Sequence, residues 1–173
     1  MARRRYAVTL ALVMSVISLA VLAQGPLPAK LWLGTWKLDL QGSRLDERML
    51  QIEGQVLRIE VAENVLVITG DTTLPGGRNV LEVARVAMTG ETTLGPADAK
   101  ISFRRVDDQR FEIRVQSRSP SGGEVVGTNR FEFSTSGRML TETKTQTFSV
   151  EPAGTTSKAT PVSSVLVFER QSP

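Results

Sequence analysis

Phe111-Glu112-Ile113-Arg114-Val115-Gln116 alternates apolar and polar residues at every step. That period of two belongs to a β-strand, whose successive side chains point to opposite faces. Phe111, Ile113 and Val115 therefore share a buried face, and Glu112, Arg114 and Gln116 face water. The next stretch repeats the pattern, with Val125, Gly127, Asn129, Phe131 and Phe133 set against Val126, Thr128, Arg130 and Glu132. Between the two lies Ser119-Pro120-Ser121-Gly122-Gly123, a run of turn formers. A parallel crossover needs a dozen or more residues, so these two strands are antiparallel neighbours.

Working outward, the same reading places strands at 33–40, 55–61, 65–70, 79–88, 100–106, 110–117, 124–134, 139–148 and 164–170. Thr and Val are abundant, as strands prefer. Leu74-Pro75-Gly76-Gly77, Asp107-Asp108-Gln109 and Ser136-Gly137 break the apolar runs as turns. Residues 43–50 have the pattern of a short helix, with Ser43 as cap and Leu45 and Met49 four apart. Residues 149–163, rich in Thr, Ser, Pro, Ala and Gly, read as a long exposed loop before the last strand. The expectation is an all-β, antiparallel up-and-down meander of about eight or nine strands. Closing it into a barrel, with the first strand beside the last, removes both exposed edges.

The N-terminus has a different pattern. Met1-Ala2-Arg3-Arg4-Arg5 precedes an apolar run from Tyr6 to Ala23 that ends in Val21-Leu22-Ala23. A basic start, an apolar middle and a small-residue exit make a secretory signal peptide. The length of the run sits at the lower edge of a membrane span, so an uncleaved anchor is the other reading. The expected organisation is a signal peptide at 1–23, a lead at 24–32, the barrel domain at 33–170 and a tail at 171–173. Export to the periplasm or the medium follows. Arg3, Arg4 and Arg5 leave with the signal. The remaining Lys and Arg then balance the 18 Asp and Glu, and the net charge of +3 falls to zero. A neutral domain lacks the basic footprint of a nucleic-acid partner. Membrane contact is expected only through an uncleaved signal.

The chain has no Cys and no His. That removes thiol nucleophiles, imidazole bases, the Ser-His-Asp triad, thiolate or imidazole zinc sites and His-ligated haem. Carboxylate chemistry and oxygen-ligated cations remain open. Asp107 and Asp108 are adjacent carboxylates, but neighbours on a strand point to opposite faces, and Asp is a usual turn residue. No metal site, no cofactor and no catalytic residue is expected.

Gly34-Thr35-Trp36-Lys37-Leu38 opens the first strand. With Arg104-Arg105-Val106-Asp107-Asp108, Val125-Val126-Gly127-Thr128 and Val167-Phe168-Glu169-Arg170, it resembles the lipocalin and calycin group. The nearer resemblance is to small exported bacterial lipocalin-like proteins of unknown function. The similarity runs from about Leu33 to Arg170. It implies a lipocalin-like barrel in which Trp36 packs at the closed end beneath an Arg from near the last strand, here Arg170, with Gly34 leaving room. The Thr-Asp-Tyr motif of typical lipocalins is absent, and Tyr6 is the only tyrosine.

Phe103, Phe111, Ile113, Val115, Phe131 and Phe133 face inward on three consecutive strands, where they either fill the barrel or line one small-ligand cavity. Arg110, Arg114 and Arg118 share the outer face of one strand with Glu112, a pattern of solvated cross-strand ion pairs. Thr141, Thr143, Thr145 and Thr147 alternate with Glu142, Lys144 and Gln146, so neither face of that strand is apolar. An edge strand wet on both sides is the simpler account. If the strand instead closes the barrel, Glu142 and Lys144 point inward and can orient a polar group. The expected function is non-enzymatic binding of a small, mostly apolar molecule. The alternative is an envelope or extracellular interaction domain with a filled barrel.

Overall fold

Each alternating run becomes one rung of a continuous antiparallel meander in the computed structural model. The structure describes residues 30–47, 51–94, 99–118, 123–150, 157–158 and 161–172. The signal peptide and most of the loop expected at 149–163 lie outside them. In chain order the strands are β1 (Gly34–Arg44), β2 (Gly54–Ala62), β3 (Val65–Leu74), β4 (Arg78–Ala87), β5 (Glu91–Leu94), β6 (Ala99–Arg105), β7 (Arg110–Arg118), β8 (Glu124–Phe133), β9 (Met139–Val150), β10 (Ser157–Lys158) and β11 (Val162–Arg170). β5 and β10 are short, and the other nine form the wall.

The sheet order is β4-β3-β2-β1-β11-β9-β8-β7-β6-β5, with β10 added to β9. The first strand thus pairs with the last, Trp36 opposite Arg170 and Leu38 opposite Phe168. The barrel is nearly closed. Cα atoms of β4 come within 8 Å of β5 and β6, but among the described residues no backbone ladder joins them. The edge of β4 carries exposed Leu81 and Val83.

Local chemistry sets the joins. The β2–β3 connection is two residues, Glu63 and Asn64, with φ of 48° and 66°. Two successive positive φ values match the right-handed twist of a tight hairpin. The helix expected at 43–50 is replaced at its start, because β1 continues to Arg44 and no helix occurs among the described residues. The register of β1 against β11 jumps between Asp39–Val167 and Arg44–Val165. Ser43 holds this bulge: its hydroxyl donates to Asp39 O at 2.6 Å and accepts from Val167 N at 2.9 Å. A small hydroxyl residue that reads as a helix cap satisfies backbone groups equally well in a bulge.

One end of the barrel is filled. Trp32, Trp36, Phe111, Phe131, Phe133 and Phe168 are almost fully buried. Trp32 lies 4.8 Å from Phe111 by ring centroids, Phe111 lies 4.6 Å from Phe131, and Trp36 lies 5.3 Å from Phe133. The Trp32 indole donates to Asp108 O at 2.8 Å and that of Trp36 to Trp32 O at 3.3 Å, so neither ring leaves its N–H orphaned.

Arg170 closes this end. Its guanidinium carbon sits 4.4 Å above the Trp36 ring. It donates to Gly137 O at 2.6 Å, to Leu33 O at 2.9 Å and to Leu31 O. Gly34 has φ of 134°, and a Cβ there would stand 3.1 Å from Arg170 Nη1. Glycine at 34 therefore supplies both the backbone conformation and the space that the guanidinium occupies.

Candidate functional site

The inward positions change character along the barrel axis. On β9 they run Leu140, Glu142, Lys144, Gln146, passing from apolar to charged and polar within one strand. β9 is not an edge strand as its sequence suggests. It is central, laddered to β8 on one side and β11 on the other. The Thr side faces out, so the polar inner set is enclosed by the wall. The same change occurs on β2, from Ile59 and Leu57 to Gln55; on β3, from Leu66 and Ile68 to Thr72; and on β11, from Phe168 and Leu166 to Ser164.

Four of these positions, Gln55, Thr72, Lys144 and Ser164, border a chamber of about 90 Å³. Its polar lining comes from Gln55, Thr72, Glu82, Lys144 and Ser164. Leu74 and Leu166 are buried beside them, while the half-buried Leu45, Ile52 and Val80 stand nearer solvent. Leu45 and Ile52 belong to the β1–β2 connection, which the Ser43 bulge redirects over this end. The backbone N–H of Asp46 donates to Ser164 Oγ at 2.8 Å and ties that connection to β11. On the outside, β1 and β2 pair only from Gly34–Ile59 to Lys37–Val56. Beyond that they splay around an open groove bordered by Asp39, Asp71 and Gln55.

Two side-chain atoms at this end are buried without a hydrogen-bond partner: Gln55 Oε1 and Glu142 Oε2. Gln55 spends its amide on Thr72, donating from Nε2 to Oγ1 at 2.8 Å, so its carbonyl stays free. Glu142 is 2% exposed and lies between Phe131 of β8 and Leu166 of β11, at the boundary of the aromatic fill. The Lys144 ammonium stands 3.5 Å from Oε2, close enough for charge attraction but too far for a good hydrogen bond. Burial pushes the Glu142 carboxyl above the usual carboxylate range. Lys144 opposes that shift and the charge of Glu82 adds to it. Glu82, an exposed residue of β4, is the carboxylate that lines the chamber itself.

The structure separates the residues that the sequence groups together. Phe103, Phe111, Ile113, Phe131 and Phe133 lie in or against the aromatic cluster with Trp32, and Val115 packs onto it. None of these six lines the chamber, nor does Glu142, whereas Lys144, which contacts Glu142, does. Gly34, Trp36 and Arg170 meet at the filled end. Sequence reasoning passed over Gln55, Thr72, Glu82 and Ser164. Their signal was a polar residue arriving in phase at the end of an inward apolar series.

Among the described residues the outer wall is marked by ion pairs. Glu112 bridges Arg104 and, at 2.8 Å, Arg130. Burial alone would raise its carboxyl, but the hydrogen bonds from the two arginines hold it below the usual range. Asp107 is lowered by its hydrogen bond from Arg110 across the β6–β7 turn. Among the described residues no group of three or more acidic residues could hold a metal ion.

No protein-family model and no curated protein matches the sequence. Among solved structures with a similar course is that of EF1p2_mFAP2b bound to DFHBI. It is 13% identical with a TM-score of 0.40, over 83% of this chain and 96% of that one. A likeness this distant carries nothing about the chamber.

Proposed function

We propose that this chain is an exported, lipocalin-like barrel that binds a small, mostly apolar molecule without transforming it. One observation carries the reading: Gln55 Oε1 is buried without a hydrogen bond at an interior chamber, and Glu142 Oε2, against the chamber-lining Lys144, has an ion-pair contact but no hydrogen bond. An unsatisfied buried polar group costs about 1–3 kcal/mol, and one kept at the wall of a chamber suits a guest that pairs with it. Leu45, Ile52 and Val80 at the outer part of the chamber suit an apolar flank. Export rests on the basic start and apolar run at 1–23, and absence of catalysis on a chain without Cys or His.

The test is native mass spectrometry of the protein purified from an exporting host without detergent. An added mass that is reproducible and lost on denaturation is expected. A clean apo mass, together with no thermal shift from any of a panel of small amphiphiles, would overturn the reading.

A second reading has its own observation. Leu81 and Val83 are 68% and 53% exposed on the unladdered edge of β4. An exposed edge with apolar side chains is a template for another strand. An interaction domain working through that edge would lose its partner in Val83→Lys while keeping its fold.

A further inference from the structure

The end group of the ligand follows from which hydrogen-bonding atoms of the chamber wall stay unspent; this step rests on the binding reading above. Gln55 and Thr72 stand side by side on that wall, joined by the bond from Gln55 Nε2 to Thr72 Oγ1 at 2.8 Å. Gln55 Oε1 accepts nothing, and among the described residues the Thr72 hydroxyl donates to nothing. The pair therefore holds one free acceptor and one free donor on neighbouring groups. Turning the Gln55 amide over exchanges the two roles and keeps their sum. Two more donors lie on the same wall. Ser164 Oγ accepts from the Asp46 backbone N–H, and its own proton has no acceptor among the described residues. Lys144 has an ammonium with three N–H groups and one loose contact, Glu142 at 3.5 Å. Glu142 itself does not line the chamber, and the lining carboxylate Glu82 is exposed to water. Gln55, Thr72 and Ser164 are all more than nine-tenths buried.

A guest that only donates leaves the two hydroxyls and the ammonium unanswered. A guest that only accepts leaves Gln55 Oε1 unanswered. Size sets a further limit. Clefts for drug-sized ligands run to about 300–1,000 Å³. About 90 Å³ takes an end group and a short piece of chain, and the rest passes the half-buried Leu45, Ile52 and Val80.

We infer that the chamber reads a neutral primary carboxamide at the end of a short alkyl chain. The guest N–H donates to Gln55 Oε1, and the guest carbonyl accepts from the Thr72 hydroxyl. Ser164 and Lys144 supply the other donors of the wall. A carboxamide carries its donor and its acceptor on separate, adjacent atoms, which is the arrangement the Gln55–Thr72 pair presents. The alkyl chain points outward past Leu45 and Ile52.

The experiment compares four probes on the exported protein by isothermal titration calorimetry: hexanamide, hexylamine, hexanoate and methyl pentyl ketone, in which a methyl replaces the amide nitrogen. Hexanamide is expected to bind at least fivefold more tightly than each of the others, because each leaves part of the buried wall unpaired. Gln55→Met keeps the length and removes the acceptor; Thr72→Val keeps the shape and removes the donor. Either is expected to narrow the amide-over-ketone ratio several-fold, a change that a merely structural role would not produce. Ketone, amine or carboxylate binding as tightly as hexanamide would overturn the end-group inference and leave the binding reading standing. So would a ratio unchanged in both variants. No binding of any probe would also overturn the inference, and the co-purified mass in the native spectrum then decides the binding reading separately. The wild-type preference alone decides the matter if neither variant folds.

Discussion

The two ends of this barrel use the same strands for opposite purposes. At the Trp36 end the inward residues are rings, and every indole N–H and guanidinium hydrogen bond that closes it finds a backbone carbonyl. At the Glu142 end the inward residues are polar, the packing leaves a chamber, and two buried acceptors lack a hydrogen bond. A few residues further along β2, β3, β9 and β11, the wall passes from satisfying every polar group to leaving some unsatisfied. Stability is concentrated where chemistry is complete, and recognition is available where it is incomplete.

The largest expected effect breaks the closed end. Trp36→Ala should cost about 3–5 kcal/mol in urea unfolding, since it removes a buried ring and leaves Arg170 over a void. Ile52→Ala, at the half-buried outer part of the chamber, should cost about 1 kcal/mol. Equal losses would show that the two ends do not differ as the packing says. Next is Arg170→Met, which keeps an apolar stem over the indole but strands the carbonyls of Leu31, Leu33 and Gly137. A loss of about 2–4 kcal/mol is expected, with the near-ultraviolet circular dichroism of Trp36 reporting the disturbed ring.

Glu142→Gln sharpens the contrast from the other side. The folded-state pKa of Glu142 is raised, so between its unfolded and folded values the native state holds the extra proton. Wild-type stability therefore falls as pH climbs through that window, and levels off above the folded pKa. The amide pays no such penalty, so the stability difference should shift in favour of Glu142→Gln from acid to alkaline pH. Thermal unfolding across that range reads it, and a pH-independent difference would refute it. The smallest effect belongs to the outer wall. Glu112→Gln should cost about 0.5 kcal/mol at neutral pH, because the Arg104 and Arg130 side chains it bridges are well exposed. The Glu112 folded pKa is lowered, so the contribution is present above the unfolded value and lost as pH falls through the folded one. A chemical-denaturation series in acid should therefore bring wild type and variant together.

Much of the fold was legible because period-two alternation and short gaps leave few topologies. Once β1 pairs with β11, Gly34, Trp36 and Arg170 are brought to one end. Polarity along a single strand was less informative. Glu142, Lys144 and Gln146 looked like a wet edge because alternation reports the character of a face, and says nothing of whether another wall stands opposite. Ser43 carried the chemistry of a cap, but a bulge uses the same hydroxyl. The six apolar inward residues on β6, β7 and β8 were compatible with filling or lining. What decides between them is Trp32, which enters the barrel from outside any strand and packs against Phe103, Phe111 and Phe133. Its destination is a tertiary fact with no periodic signal. The chamber arises at the far end, where each inward series turns polar.

The Arg170 clamp joins residues 137 positions apart in the chain. Contacts of such separation are rewarded only after a long loop has closed. Hairpins such as β2–β3 and β7–β8 can form early from neighbouring residues. Until β11 arrives, the outer edge of β1 has no partner and the rings beneath it have no cover. A chain wired in this way makes the seal of its filled end depend on strands from opposite ends of the barrel domain, so the clamp exists only when both are in place.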